Sequence, residues 1–249
     1  MQSDHQPFVV KRGPADVLLF YIHGILGSPL EFRKIIEPLE IESIHGKAIL
    51  LPGHGGSGKN FLRSNLSAWI NHVQHELESA RKEYSKIYLM GHSLGGLLAI
   101  KAALDNPIKG IILLNTPFKT WINFRQISLS FKVIMSPGNS SDPIVDSYRR
   151  TFSVSLKDWW TLPLWLNRLL DVPRMAHNTL PLLKKINVPV YVFQSIQDET
   201  VSPISAEILK NSLGNNLFSL TYLQQSTHAY FVEAELNKIL KGIKELLQN

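Results

Sequence analysis

The sequence contains no cysteine. That excludes structural disulfides, a thiolate nucleophile and zinc–thiolate sites, and says little about compartment. Long apolar runs are missing too, and no stretch approaches the roughly 20 residues of a membrane-spanning helix. The first residues, Met1 to Pro7, are polar and lack the apolar core of a secretory signal, so a cytoplasmic protein is expected. There is also no dense Lys/Arg run. Net charge is +6, from 26 Lys+Arg against 20 Asp+Glu, a balance compatible with nucleic acid, an anionic membrane or an anionic substrate. Lacking a basic run or a recognition motif, the chain is not expected to bind nucleic acid.

What is present is an ordinary globular balance. The 249 residues are 44% hydrophobic and 18% charged, enough for one large α/β domain or two smaller ones. The most informative stretch is Gly91-His92-Ser93-Leu94-Gly95-Gly96. An apolar run of strand length, Lys86 to Met90, enters it, and an Ala/Leu-rich run of helix formers from Leu97 leaves it. A strand that turns at once into a helix passes through strained backbone angles, and flanking glycines remove the Cβ atoms that would clash there. Such a turn lifts the serine hydroxyl clear of the sheet and aims it at the positive end of the helix. G-x-S-x-G alone is a weak pattern; between a strand and a helix it points to a nucleophile, Ser93.

The rest of the chain repeats a strand–helix rhythm. Phe8–Val10 and Val17–Ile22 read as strands, and Ser28-Pro29 predicts a helix start running to about Leu39. Strands are also predicted over Lys47–Leu51, Gly110–Asn115, Val188–Gln194 and Asn216–Leu223. Leu66, Trp69, Ile70, Val73, Leu77, Ala80 and Tyr84 recur at helical spacing. Ser202-Pro203 opens a helix to about Leu213, and Val232, Leu236, Ile239, Leu240, Ile243 and Leu247 mark the buried face of a terminal one. Short links between alternating elements mean a parallel sheet with helices on both faces.

Three secondary signals carry less. Gly53-His54-Gly55-Gly56-Ser57-Gly58-Lys59-Asn60 nearly spells a phosphate-binding loop, but Asn60 stands where a hydroxyl is required and no helix pattern follows at once. His72 and His75 lie one turn apart with no third ligand placed, and read as solvated. His5, His45 and His54 read as surface or loop residues, and His23 and His92 as loop-packing ones.

From Thr116-Pro117 to about Pro181 the rhythm stops. This stretch holds four of the five tryptophans, and eight basic residues against four aspartates and no glutamate. Its resumption afterwards implies one domain with an insertion: residues 1–116 and 182–249 form the core and 117–181 an inserted cap. His177, inside the cap, is a candidate substrate contact. A serine nucleophile needs a base oriented by a carboxylate, and in open parallel sheets function collects at the carboxyl ends of the strands. Asp198 follows one late strand and His228 the next, giving the order Ser93…Asp198…His228.

With His23-Gly24 and Gly27 after an early strand, Pro52-Gly53-His54-Gly55, the Gly91–Gly96 turn, Asp198-Glu199 and Ser226-Thr227-His228, the sequence resembles the α/β-hydrolases. It is most similar to the bacterial carboxylesterase and monoacylglycerol-lipase-like branch. The resemblance spans nearly the whole chain outside the cap, and implies a mostly parallel, doubly wound sheet with an inserted helical cap. It assigns Ser93 the attack, His228 the proton transfer and Asp198 the orientation of His228, with the backbone N–H groups of Ile25 and Leu94 as oxyanion hole. The chain departs from the family at Ser195, where glycine is common, and Glu199 is a rival acid. No metal or organic cofactor is implied. The serine argues against dehalogenases and epoxide hydrolases, which resemble versions with aspartate at this turn. An apolar cap favours an ester with an apolar acyl group, short- to medium-chain esters or monoacylglycerols. The alternatives are an acyl thioesterase, for which the basic cap residues speak, and a ligand-binding member without turnover. Weak peripheral contact with an anionic membrane through the basic, Trp-rich cap is compatible with the ester reading.

Overall fold

The computed structural model describes residues 5–39, 41, 43–120 and 140–248. Trp121, Arg125, Lys132 and the start of the loop expected at 137–143 lie outside the described residues. One seven-stranded sheet runs through the molecule in the order β1-β3-β2-β4-β5-β6-β7. Its strands are β1 (Phe8–Val10), β2 (Val17–Ile22), β3 (Ile44–Ile49), β4 (Lys86–His92), β5 (Gly110–Leu114), β6 (Val190–Ser195) and β7 (Leu217–Leu223). The edge strand β1 is antiparallel to β3, and every other pairing is parallel.

Alternation along β2 shows how the sheet divides the core. Leu18, Phe20 and Ile22 face one side with Trp69, Val73 and Leu77 of α3 (Leu66–Ala80) and Leu97, Leu98 and Ile100 of α4 (Leu94–Asp105). Leu19 and Tyr21 face the other side with Ile35 and Ile36 of α1 (Arg33–Ile36) and Ile239 and Ile243 of α9 (Glu233–Gln248). Each such side chain, fully buried, contributes about 1.5–3 kcal/mol, which outweighs the poor helix propensity of the β-branched residues among them.

Several expected boundaries move, for local reasons. Ser28-Pro29 opens a 3₁₀ turn over Pro29–Phe32 and then a single α turn, and the Ser28 hydroxyl does not cap it. The Glu31 side chain turns inward to the Gly24 amide instead. The strand expected at Lys47–Leu51 is Ile44–Ile49, because pairing with β2 in register from Val17↔Ile44 to Ile22↔Ile49 sets its span. β6 starts at Val190 because Pro189 has no N–H for the ladder. α3 ends at Ala80, short of Tyr84. A six-residue helix α2 (Gly58–Arg63) does follow the glycine-rich loop, with the Ser57 side chain accepting the Asn60 amide at 3.2 Å. On α9 the buried face is Glu235, Ile239, Gly242, Ile243 and Leu246, rotated from the expected stripe. Gly242 causes this: a Cβ there would lie 2.6 Å from Phe193 Cζ.

Between β5 and β6 the described chain forms α5 (Pro143–Thr151), a 3₁₀ stretch (Leu156–Thr161), α6 (Leu162–Leu169), α7 (Asp171–Thr179) and a further 3₁₀ stretch (Leu180–Lys185). The last helix of the core before α9 is α8 (Ile204–Leu213). Because β2, β4, β5, β6 and β7 are mutually parallel, the loops after all five open on one edge of the sheet.

Candidate active site

At that edge the chain passes from β4 into α4 through one residue. Ser93 has φ 53° and ψ −122° and is 4% exposed, and its amide donates to Leu114 O at 2.9 Å. A non-glycine residue at positive φ is strained, and such strain persists only where the surroundings impose it. Here they do. A Cβ on Gly91 would lie 2.2 Å from Gly95 O, and one on Gly95 would lie 1.9 Å from Ile22 O. The turn is therefore packed against its own helix and against β2.

Asp198 sits in the loop after β6. Its Oδ1 accepts the amides of Thr200 and Val201 at 2.8 and 2.7 Å, which leaves Oδ2 to accept His228 Nδ1–H at 2.8 Å. Both side chains are nearly enclosed. Burial opposes charge on the His228 ring. The Asp198 charge and hydrogen bond, and more weakly Glu199 and Glu31, overcome it and hold the pKa above the ordinary histidine value. With the proton on Nδ1 taken by Asp198, Nε2 of the neutral ring is the acceptor. Of the two neighbouring acids, Asp198 is the one bonded to the ring; Glu199 reaches the His228 backbone N–H at 3.4 Å.

The loop after β2 lies against the serine, where a Cβ on Gly24 would be 3.1 Å from Ser93 Cβ. Three of its amides are occupied: Gly24 N–H by Glu31 Oε2, Leu26 N–H by His54 Nε2 and Gly27 N–H by Gly24 O. Ile25 N–H has no hydrogen bond among the described residues. Leu94 opens α4, so its amide has no acceptor within the helix.

Residues that sequence reasoning missed hold these loops together. Asn115, at φ 46° just past β5, accepts the Ser195 amide at 2.7 Å and donates to the carbonyls of Thr227 and His228 at 3.3 and 3.0 Å. It also donates to Ser195 Oγ at 3.2 Å, so the serine that replaces a family glycine is a bonded partner. A lone polar residue ending an apolar strand, of a type that tolerates positive φ, was the available signal. Glu31 completes a Ser-x-x-Glu spacing that reads as a capping box, yet its carboxylate serves Gly24 and His92 instead. Burial pushes the Glu31 pKa up, but the His92 charge and hydrogen bond reverse this and hold it below the usual carboxylate value.

The histidines divide differently from the expectation. His23 and His92 do pack loops: His23 Nε2 accepts the Leu51 amide at 3.0 Å, and His92 bridges Glu31 and the His228 carbonyl. Both His45 and His54 are buried: His45 lies inside β3, against the surface-or-loop reading, while His54 lies in the loop after β3 as that reading allowed. His45 bonds Tyr84 Oη and Gly13 O, and His54 packs on Phe61 while burial holds its pKa well below the ordinary value. His177 faces solvent on α7. Among the described residues no group of three His, Asp or Glu side chains is placed to hold a metal.

A mostly parallel sheet, wound on both sides, with a serine turn between its central strand and helix, defines a doubly wound α/β protein with its chemistry at the strand ends. The chain belongs to the alpha/beta hydrolase family, whose sequence profile matches residues 19–236. It is 22% identical over 245 residues to a carboxylesterase of Bacillus subtilis (strain 168), covering 98% of this chain and 96% of that one. It is 24% identical over 244 residues to a thermostable monoacylglycerol lipase of Bacillus sp. (strain H-257), with coverages of 96% and 92%. Among solved structures, a chain from work on LipS and LipT, two metagenome-derived lipolytic enzymes, superposes with a TM-score of 0.75 at 18% identity, covering 99% of both chains. At these identities the structural likeness speaks for the fold.

Proposed function

We propose that this chain is a serine carboxylic-ester hydrolase acting on short- to medium-chain esters or monoacylglycerols through an acyl-enzyme. The observation that carries this reading is the Asp198–His228 hydrogen bond at 2.8 Å, together with a serine held at positive φ whose neighbour His92 lies 2.8 Å from the His228 carbonyl. Ser93 Oγ attacks the ester carbonyl carbon as His228 Nε2 takes its proton, and Asp198 stabilises the resulting imidazolium. The Ile25 N–H, without a hydrogen bond among the described residues, and the helix-opening Leu94 N–H receive the developing oxyanion; a donor in this position is typically worth about a hundredfold or more in rate. His228 then protonates the leaving alkoxide, and water, activated by the same ring, attacks the acyl-Ser93 carbonyl and releases the carboxylic acid.

Residues 117–181 we assign as a cap over this centre, whose described part is the α5–α7 segment. Three of its eight basic residues are paired: Arg150 with Asp146 at 2.7 Å, and Arg168 and Arg174 with Asp171 at 3.2 and 3.1 Å. Nitrophenyl esters of increasing chain length, with monoacylglycerols and acyl-CoA thioesters alongside, test the reading on wild type and Ser93→Ala. Turnover of oxygen esters lost in the variant supports it; preference for thioesters at every length, or turnover retained in the variant, overturns it.

The same segment supports peripheral contact with an anionic bilayer. Trp159, Trp160, Leu164 and Leu166 are 69%, 53%, 57% and 58% exposed, and Lys59 Nζ lies 5.4 Å from the Trp160 ring centroid. Trp165, by contrast, is core material, packed on Phe61 with its indole N–H bonded to Thr161. Co-sedimentation with vesicles containing phosphatidylglycerol is expected at low salt, reduced in Trp159→Ala/Trp160→Ala; no binding at low salt removes this contact.

A further inference from the structure

Two adjacent residues of helix α5 touch the two loops of the Asp198–His228 pair, Ser147 the loop after β7 and Tyr148 the loop after β6. Ser147 Oγ donates to the Ala229 carbonyl at 2.8 Å, and the Tyr148 hydroxyl donates to Glu199 Oε1. The other oxygen of that carboxylate accepts the His228 backbone N–H at 3.4 Å. Glu199 is 2% exposed and adjoins Asp198, so a second carboxylate lies buried beside the Asp198–His228 pair. Just beyond α5, Ser153 donates its amide to Leu26 O at 2.9 Å and its hydroxyl to Gly27 O at 2.5 Å. One short segment of the insertion thus touches the loop of the base and the loop of the oxyanion donors.

We propose that Tyr148 is a positioning residue that acts through Glu199 to hold the His228 loop, so that α5 and the base move as one unit. This rests on the ester-hydrolase reading for its kinetic consequences and on geometry alone for the coupling. A buried carboxylate oxygen that loses a donor pays a desolvation cost, and Tyr148 donates to Oε1 from outside the core. Movement of α5 away from the sheet takes that donor with it. The carboxylate, which also accepts the backbone N–H of His228, then resettles, and the His228 loop shifts with it.

Charged and titratable groups face the His228 ring from every side that packs on it: Asp198 and Glu199 from the loop after β6, Glu31 after β2, His92 on β4, and Tyr148 from α5 behind Glu199. Glu199→Gln removes one negative charge from this set. The imidazolium loses that support, and its titration midpoint falls.

A double-mutant cycle on Tyr148→Phe and Glu199→Gln tests the coupling, with two readouts. The first is kcat and KM for a short nitrophenyl ester. The second is the His228 midpoint by NMR titration, assigned with His228→Ala, which needs no turnover. Tyr148→Phe is expected to lower kcat about tenfold with KM nearly unchanged, and to cost less than about twofold in the Glu199→Gln background. Glu199→Gln is expected to lower the midpoint by about one pH unit. Tyr148→Phe should move the midpoint in wild type and leave it unmoved in the Glu199→Gln background. A merely structural hydroxyl would lower thermal stability equally in both backgrounds and leave kcat and the midpoint alone; that result, or additive effects, overturns the proposal. Absence of ester turnover in wild type would count against the hydrolase reading, while the midpoint shifts would still decide the coupling.

Discussion

The His92 ring bridges Glu31 and the backbone of His228, with Nδ1 at 2.8 Å from Glu31 Oε2 and Nε2 at 2.8 Å from the His228 carbonyl. The same Glu31 oxygen accepts the Gly24 amide. One carboxylate thereby ties the loop after β2, the residue before Ser93 and the loop of His228. Removing one partner of a buried pair leaves the other uncompensated, so Glu31→Ala is expected to destabilise the fold by about 3 kcal/mol at neutral pH. Because the folded pKa of Glu31 is depressed, its contribution is present above the unfolded value and is lost as pH falls through the folded one. Denaturant melts of the two proteins should converge below about pH 4; a gap that stays constant into acid would show that Glu31 acts by packing alone.

Ser93→Ala is expected to abolish ester turnover, by about 10⁴-fold or more in kcat, because a triad fails as a unit when its nucleophile is deleted. The melting temperature should change little, since the hydroxyl has no structural hydrogen bond among the described residues. Reaction of wild type but not the variant with a serine-directed phosphonate checks the same assignment without a substrate.

The acid limb of kcat/KM should lie above the ordinary histidine value of about 6.5. On the proposed mechanism His228 must be neutral to accept the Ser93 proton, and its raised pKa then predicts that activity is lost as pH falls through that higher midpoint. Asp198→Asn removes the first support of the imidazolium, so the limb moves to lower pH while the plateau drops about 10⁴-fold. An unmoved limb would assign the titration to another group.

Gly95→Ala is expected to cost about 3 kcal/mol or more, because its Cβ would lie 1.9 Å from the Ile22 carbonyl, which is fixed backbone of β2. Thermal melts decide it. A folded variant of wild-type stability would mean that α4 can slide away from the sheet.

The order of elements was legible because each signal is local. Apolar runs such as Val17–Ile22 and Gly110–Leu114 bury on both faces of a parallel sheet, and helical stripes such as Trp69, Val73 and Leu77 bury on one. The Gly91–Gly96 turn was legible because its backbone strain demands glycines at set spacing. Element ends were less so: β3 takes its span from its partner β2, and α9 takes its buried face from the gap that Gly242 opens over Phe193. The length of β3 is set by its partner, and Gly242 sets the rotation of α9 only once it meets Phe193 of β6.

The sequence by itself determined the fold class, the strand-to-helix turn at Ser93, and the placing of Asp198 and His228 after neighbouring late strands. Local pattern and chain order carry that much. Tertiary structure decided how the loops are held. Asn115 reaches His228 across 113 positions, Glu31 reaches His92 across 61, and Tyr148 reaches Glu199 across 51. It also decided that His45 and His54 go inside, each with hydrogen-bond partners that come together only when the sheet closes. A buried polar side chain is chosen by partners distant in sequence, so nothing adjacent to it in the chain announces its role.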